Sequence, residues 1–149
     1  MILALDLGTV TGWAAGAPGG SPRSGSVRLD GDGIGARSAA LVDWLGDAID
    51  VHRPTIIVFE APLPPGGQTH GATARMLIGF ACMVELIAFR RSIRVAEAAV
   101  STVRKAFAGS GRADKAVVMA ECRRRGWTPT DHNAADALAL WGFATGRER

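Results

Sequence analysis

The sequence has little cysteine. Its two cysteines, Cys82 and Cys122, lie far apart in segments of helical pattern, and the 149 residues contain no CxxC pair and no Cys/His cluster. A structural zinc site is therefore not expected. We expect both thiols to be small, buried side chains in a reducing compartment.

Targeting signals and long apolar runs are also scarce. Residues 1–8 have neither a basic segment nor a long apolar stretch, so we do not expect a signal peptide. The most apolar later stretch, residues 76–89, is interrupted by Glu85 and is expected to be too short to cross a bilayer. We therefore expect a soluble, intracellular protein of the cytoplasm, in a bacterial cell or a phage-infected host, with no membrane partner.

The composition is that of a compact domain. Apolar residues make up 48% of the chain, charged residues 21%, and the mean hydropathy is +0.15. A chain of this length buries about two-thirds of its extended surface, which is enough for one core without disulfides or a structural metal. We expect residues 1–149 to form a single domain, because neither a linker nor a repeat interrupts the sequence.

Positive charge is concentrated in one part of the chain. The net charge is only +3, yet residues 90–127 hold ten basic and three acidic side chains, a local balance of +7. Such a segment suits a surface that binds phosphate groups, and it equally suits a solvated helical surface. Charge alone does not separate the two interpretations.

The hydrophobic pattern predicts an α/β protein. Short apolar or β-branched segments predict strands, and apolar residues at helical spacing predict helices between and after them. The first three strands would form an antiparallel meander, and two right-handed crossovers would place the fourth strand beside the first. The result is a five-stranded mixed sheet flanked by helices. The predicted strands are 2–7, 11–15, 26–29, 55–59 and 93–96, and the predicted helices are 41–53, 71–90, 101–109 (capped by Ser101), 112–125 and 134–145.

Acidic residues end two of the predicted buried strands. Asp6 follows four apolar residues, Glu60 follows five, and Asp136 lies early in the apolar last helix. Neighbouring carboxylates at the end of buried strands are costly unless a cation neutralises them, and hard oxygen ligands favour Mg²⁺ or Mn²⁺. We therefore predict that these acids converge on a metal site. Asp131 is a candidate further ligand or a cap of the last helix, and His132 is a candidate ligand or a surface residue.

Four segments together resemble the RuvC-type Holliday junction resolvases of the ribonuclease H-like superfamily. They are residues 2–9 (ILALDLGT), Glu60 at the end of its strand, residues 111–118 (GRADKAVV) and residues 134–139 (AADALA). Each motif is weak alone, but the series runs in the family's order over nearly the whole chain. The compact form looks most like the phage and prophage branch of that family.

The resemblance implies a ribonuclease H-like fold and a Mg²⁺- or Mn²⁺-dependent endodeoxyribonuclease. Such an enzyme nicks Holliday junctions or other branched DNA as a homodimer, with two metal ions in each active site. Matched onto this sequence, Asp6, Glu60 and Asp136 would be catalytic metal ligands. The family's basic residues, which contact phosphates near the cleaved strand, would correspond to Lys105, Arg112 and Lys115.

The chain departs from the family pattern at two places. Asn133 stands where the family has an acid or a histidine, so Asp131 or His132 would have to supply the fourth ligand, and we favour Asp131 as the harder oxygen donor. Helix geometry would favour His132, because it is four positions before Asp136 and residues four positions apart lie on the same face of a helix. No aromatic residue follows Glu60, and Leu63 is the candidate apolar wedge at a junction.

The helix over residues 71–90 is more apolar than a single buried face requires. It either packs on both sides within its own domain or forms a two-fold dimer interface, as this family does in the same region. A two-fold dimer would present two active sites to the two strands that are cut in a four-way junction. We favour the dimer.

Three other functions fit parts of the sequence. The chain could be a YqgF-type nuclease that acts on RNA, or a non-catalytic protein that binds branched DNA. Retained acids argue against a pure binder, because negative charge facing phosphates weakens binding. Residues 6–9 with Gly12 also look like the first phosphate motif of actin-like ATPases, but those proteins duplicate the fold and this chain has one copy.

Overall fold

A five-stranded mixed sheet organises the molecule, which is described here from a computed structural model covering residues 1–62 and 71–147. The strands are β1 (Ile2–Asp6), β2 (Val10–Gly16), β3 (Arg23–Arg28), β4 (Ile56–Glu60) and β5 (Arg94–Ala98). The helices are α1 (Gly33–His52), α2 (Gly71–Arg90), α3 (Val100–Ala108), α4 (Lys115–Arg124) and α5 (His132–Arg147).

The sheet has the predicted topology. Its strand order is β3-β2-β1-β4-β5, with β1, β2 and β3 antiparallel and with β4 parallel to both β1 and β5. Strands β1 and β4 are continuous apolar runs because both of their faces are covered by helices. The prediction that the fourth strand lies beside the first is confirmed.

The two faces of the sheet support separate hydrophobic cores. Alternate residues Ile2 and Ala4 of β1 pack with α3, α4 and α5, while Leu3 and Leu5 pack with α1 and α2. Because successive side chains of a strand point to opposite faces of the sheet, the face of every later residue in the strand is fixed. Positions that continue the Ile2–Ala4 series therefore lie on the side of the sheet that α5 covers.

Several local predictions need correction. Helix α3 has Ala99, not Ser101, at its N-cap, and no side chain caps it, because Ser101 already lies in the first turn. Helix α4 starts at Lys115 instead of residue 112, since the Asp114 carboxylate accepts a hydrogen bond from the Val117 N–H and fixes the start there. Cys122 is buried as expected, but Cys82 is exposed on α2.

Helix α2 also differs from the expectation about length. It runs for 20 residues, and an 18-residue stretch of it has a mean hydropathy of 1.7, so by length and composition alone it could cross a membrane. The expectation that this stretch is too short is therefore wrong. A core helix passes the same test, and one face of α2, with Phe80 and Val84, packs in the core against α1.

Candidate active site

Asp6 and Glu60 lie side by side at one edge of the sheet. They are the last residues of β1 and β4, whose parallel register pairs Leu5 with Phe59 one position earlier. Asp6 continues the Ile2–Ala4 series and Glu60 continues the equivalent series in β4, so both carboxylates address the face that α5 covers. The predicted convergence of these two acids is present in the fold.

Asp136 reaches the same place from α5. It lies in the second turn of that helix and is only 8% exposed, among alanine and leucine neighbours that pack on the sheet. Close approach of helix to sheet is possible because position 12 is glycine: a Cβ there would overlap the Asn133 carbonyl. Three acids separated widely in sequence are thereby brought to one sheet edge.

The electrostatics of Asp6 and Glu60 are those of crowded, desolvated acids. Burial raises the pKa of Asp6 to about 7, and the nearby charge of Asp136 acts in the same direction. Burial likewise raises the pKa of Glu60 to about 8, with further increases from Asp6 and Asp136. Each acid therefore feels the negative charge of its neighbours, and a bound cation would relieve that repulsion.

Arg104 on α3 partly balances these acids. Its Nη2 lies 3.6 Å from Asp136 Oδ1, and its Nη1 donates a hydrogen bond of 3.2 Å to the Ala113 carbonyl. Burial raises the pKa of Asp136, and Arg104 and Lys115 oppose that shift. The Nε of Arg104 is buried and finds no hydrogen-bond acceptor among the described residues.

The basic residues predicted to bind DNA do not all surround the acids. Lys115, the first residue of α4, is exposed and close enough to lower the pKa of Asp6 and of Asp136. Lys105 and Arg112 are exposed as well, but neither is among the groups that shift the pKa of the acids.

Arg104 is the residue that the sequence prediction missed. Val103 and Phe107 form the buried face of α3. Arg104, the residue after Val103, lies at the rim of that face, whereas Lys105 is exposed to solvent. The spacing of Val103 and Phe107 was the signal that could have selected Arg104 over Lys105.

Asp131 is engaged in capping α5. Its Oδ1 accepts a 2.9 Å hydrogen bond from the Ala134 N–H, and its Oδ2 accepts one from the Ser26 hydroxyl. Partial burial acts to raise the pKa of Asp131, but these hydrogen bonds outweigh it and hold the pKa below its usual value. The structure thus gives Asp131 the capping role that the sequence left open, while His132 beside it is exposed.

The carboxylates of Asp6, Glu60 and Asp136 are suitable ligands for a hard divalent cation, but their positions do not form a complete metal site. Asp6, Glu60 and Asp136 offer carboxylate oxygens only, which is the chemistry that Mg²⁺ and Mn²⁺ prefer. Within residues 1–62 and 71–147, however, no group of three or more His, Cys, Asp or Glu side chains could hold a metal ion as it stands.

An apolar cavity adjoins the two strand-borne acids. It has a volume of about 210 Å³, and Asp6 and Glu60 are among the residues that line it. The other lining residues are apolar, namely Leu7, Ala61, Pro62, Leu77 and Val100. The Ala61 N–H is already bonded to the Ala98 carbonyl at 2.9 Å, so it offers no donor to a ligand. Leu63, the predicted wedge, lies outside the described residues.

The sheet order and the acid-bearing helix across it define a ribonuclease H-like α/β fold. Solved structures share it: Thermus thermophilus RuvC superposes with a TM-score of 0.77 at 21% identity, over 99% of this chain and 95% of that one. T. thermophilus RuvC in complex with Holliday junction substrate gives 0.76 at 22% identity, over 93% and 88%. The yeast mitochondrial Holliday junction resolvase Ydc2 gives 0.62 at 10% identity, over 97% and 76%.

Sequence comparison identifies the family. The profile described as crossover junction endodeoxyribonuclease RuvC matches residues 20–141. Proteins of that name from Streptomyces coelicolor and Halorhodospira halophila are 36% and 34% identical to this chain. The first alignment covers 90% of this chain and 71% of the relative, and the second covers 93% and 85%. The chain belongs to the RuvC family of crossover junction endodeoxyribonucleases.

Proposed function

We propose that this protein is a structure-selective endonuclease that nicks Holliday junctions and other branched DNA by hydrolysing a phosphodiester bond. The observation that carries the proposal is the meeting of Asp6, Glu60 and Asp136 at one sheet edge in a chain of this family. Its relatives are named crossover junction endodeoxyribonucleases, and one structural neighbour is bound to a Holliday junction substrate. Because the substrate is DNA, the protein acts inside the cell, and we place it in the cytoplasm.

Nucleases of this family are metal-dependent. We propose that Asp6, Glu60 and Asp136 hold two Mg²⁺ or Mn²⁺ ions, which when bound would activate the attacking water and stabilise the leaving oxygen. The charge of Asp136 acts on both Asp6 and Glu60, and the charge of Asp6 acts on Glu60, so the three acids belong to one electrostatic group. Asp131 as a fourth ligand stays a prediction, and its capping contacts compete with that role.

Basic residues beside the acids provide the phosphate contacts in this proposal. Arg104 has a buried Nε that needs an acceptor, and Lys115 stands exposed at the N-terminus of α4 near Asp6 and Asp136. A guanidinium and an ammonium on the rim of an acidic site hold the DNA backbone where the acids alone would repel it. Lys105 and Arg112 extend the basic surface away from the acids and would hold the flanking DNA.

The comparisons are the support for DNA rather than RNA as the substrate. The curated relatives are named endodeoxyribonucleases, and one structural neighbour is described as a complex with Holliday junction substrate. We therefore propose DNA cleavage ahead of the RNA-directed alternative.

We propose that the exposed face of α2 forms a homodimer interface. The side chains of Ile78, Leu86 and Phe89 are 43%, 43% and 83% exposed, and Cys82 lies between them at helical spacing. Their positions, separated by eight and three residues, form one stripe opposite the buried Phe80 and Val84. A stripe of this kind is typical of a surface covered by another protein, and a two-fold pair would present two active sites to one junction.

A cleavage assay tests the proposed activity. A synthetic four-way junction should be nicked in Mg²⁺ and not in chelator, far above a linear duplex, and Asp6→Asn should abolish nicking while junction binding is kept or improved. Asp43→Asn, which removes an exposed carboxylate from α1, is the matched control and should cut like the wild type.

Three outcomes would contradict the proposal. Metal-independent binding without any cleavage would make the protein a non-catalytic junction binder. Faster cleavage of an RNA junction than of a DNA junction would favour the RNA-directed function. Equal activity of Asp6→Asn and the wild type would remove the acids from the chemistry.

A further inference from the structure

A row of residues across three strands meets the first turn of α5. In the sheet register, Asp6 of β1 pairs with Gly12 of β2, and Gly12 pairs with Ser26 of β3. Directly paired residues point to the same face, so all three positions address α5. Asp6 belongs to the candidate active site, whereas neither Gly12 nor Ser26 has an ionisable side chain that could join it.

Ser26 holds the start of α5 through Asp131. Its hydroxyl donates to Asp131 Oδ2, across 105 positions of sequence. The other oxygen of Asp131 accepts from the Ala134 N–H at 2.9 Å, and the Asp131 carbonyl accepts from the Ala135 N–H at 3.1 Å. The capping residue Asp131 is therefore hydrogen-bonded both to β3 and to its own helix.

Gly12 sets the distance between β2 and α5. The carbonyl of Asn133 lies so close to the Gly12 Cα that a Cβ could not be accommodated. The contact is with backbone, so rotation of a side chain would not relieve it. Ser26 therefore fixes the helix end along and about its axis, and Gly12 fixes how closely it lies on the sheet.

We propose that Ser26, Gly12 and Asp131 act together as positioning residues for Asp136, and that Asp131 acts through Asp136 without itself binding a metal ion. Asp136 is three residues beyond Asn133, less than one turn, so the placement of the first turn is transmitted to its carboxylate. A helix turns about 100° per residue, and displacements near 1 Å can cost about a hundredfold in rate. The inference rests on the proposed function for its kinetic test.

The kinetic test compares Asp131→Ala, Asp131→Asn, Ser26→Ala and Ser26→Thr. The readouts are the single-turnover cleavage rate of a four-way junction, the Mg²⁺ concentration for half-maximal rate, and junction affinity in chelator. Asn caps a helix about as well as Asp but is a poorer metal ligand, and Thr keeps the hydroxyl. We expect Asp131→Ala and Ser26→Ala to lose about tenfold or more in rate and to need more Mg²⁺ at unchanged affinity. Asp131→Asn and Ser26→Thr should stay near the wild type.

The opposite pattern would overturn the proposal. If Asp131→Asn is as slow as Asp131→Ala while Ser26→Ala cuts normally, Asp131 is a ligand and the contact with β3 is incidental. If all four variants cut normally, the row does not position Asp136.

A second measurement is independent of cleavage. Amide hydrogen exchange of Ala134 and Ala135 should accelerate in Ser26→Ala and Asp131→Ala, but not in Ser26→Thr. Protection equal to the wild type in both alanine variants would refute the contact even if no junction substrate were cut. A wild-type protein that cuts no junction but shows the expected exchange would refute the proposed function alone.

Discussion

At the scale of the residue, the candidate active site contains two buried carboxyl groups, Asp6 and Glu60, whose ionised forms are unfavourable in the folded protein. Asp6 and Glu60 could each be replaced by a neutral side chain with less cost of desolvation, and their raised pKa values report that cost. Sites that sacrifice stability in this way are typical of catalytic centres. Stability and activity should therefore respond to Asp6 in opposite directions.

Replacing Asp6 by asparagine should stabilise the protein in chelator at pH 8. The pKa of Asp6 is near its ordinary value of about 4 in the unfolded chain and about 7 in the folded one. Ionisation therefore destabilises the wild type progressively as pH rises through that interval. Thermal unfolding should give a higher Tm for Asp6→Asn at pH 8, by about 2–4 °C for each kcal/mol recovered, and a smaller difference at pH 4.

Added Mg²⁺ supplies the control for this prediction. At pH 8 it should raise the Tm of the wild type more than that of Asp6→Asn, because the cation neutralises the repulsion that the variant already lacks. A variant that unfolds below the wild type at pH 8 in chelator would show that Asp6 is not held in an unfavourable state.

At the scale of the element, the strands were easier to predict than the helix residues whose side chains lie at the site. The apolar runs predicted β1 and β4 as buried strands, and the right-handed crossover rule then placed them side by side, with Asp6 next to Glu60. The cap formed by Ser26 and Asp131 joins residues 105 positions apart, so no local pattern could reveal it. Arg104 was not selected from the sequence, although the spacing of Val103 and Phe107 places it at the rim of the buried face of α3. The assignment of Lys105 to a phosphate contact stays a prediction.

Lys115, the first residue of α4, is predicted to contact a DNA phosphate. Lys115→Ala should weaken junction affinity and lower the slope of log K against log salt by about one unit, because one phosphate contact is lost. Titrations of a labelled junction over a range of salt concentrations, in chelator, measure both quantities. Arg23→Ala, which removes an exposed arginine of β3 at the opposite end of the strand pairing from Asp6, should leave the slope unchanged. An unchanged slope in Lys115→Ala would move the DNA surface elsewhere.

At the scale of the whole molecule, α2 has more apolar surface than the single chain uses. Its buried face joins the core with α1, and its opposite stripe ends at Phe89, which is 83% exposed. The family's two-strand cleavage of a junction requires two sites, and a dimer through this stripe would supply them. The dimer was expected because the helix carries more apolar residues than one buried face needs and because the resembled family dimerises in this region.

Placing a charge in that stripe should separate the protomers. Phe89→Glu is expected to yield a folded monomer by sedimentation, because a carboxylate within an apolar contact would be buried without a partner. Val51→Glu on α1, where the side chain is 69% exposed and outside the stripe, is the control and should remain dimeric. A dimeric Phe89→Glu protein, or loss of the dimer in both variants, would contradict an interface at this stripe.

We propose that acids from β1, β4 and α5 meet around divalent ions, and anomalous diffraction from crystals grown with Mn²⁺ would show those ions. We expect peaks bridged by Asp6 and flanked by Glu60 and Asp136, at metal–oxygen distances of about 2.0–2.3 Å, with Asp136 no longer paired to Arg104. Saturating Mn²⁺ with no peak between these carboxylates, and with Asp136 still beside Arg104, would contradict it.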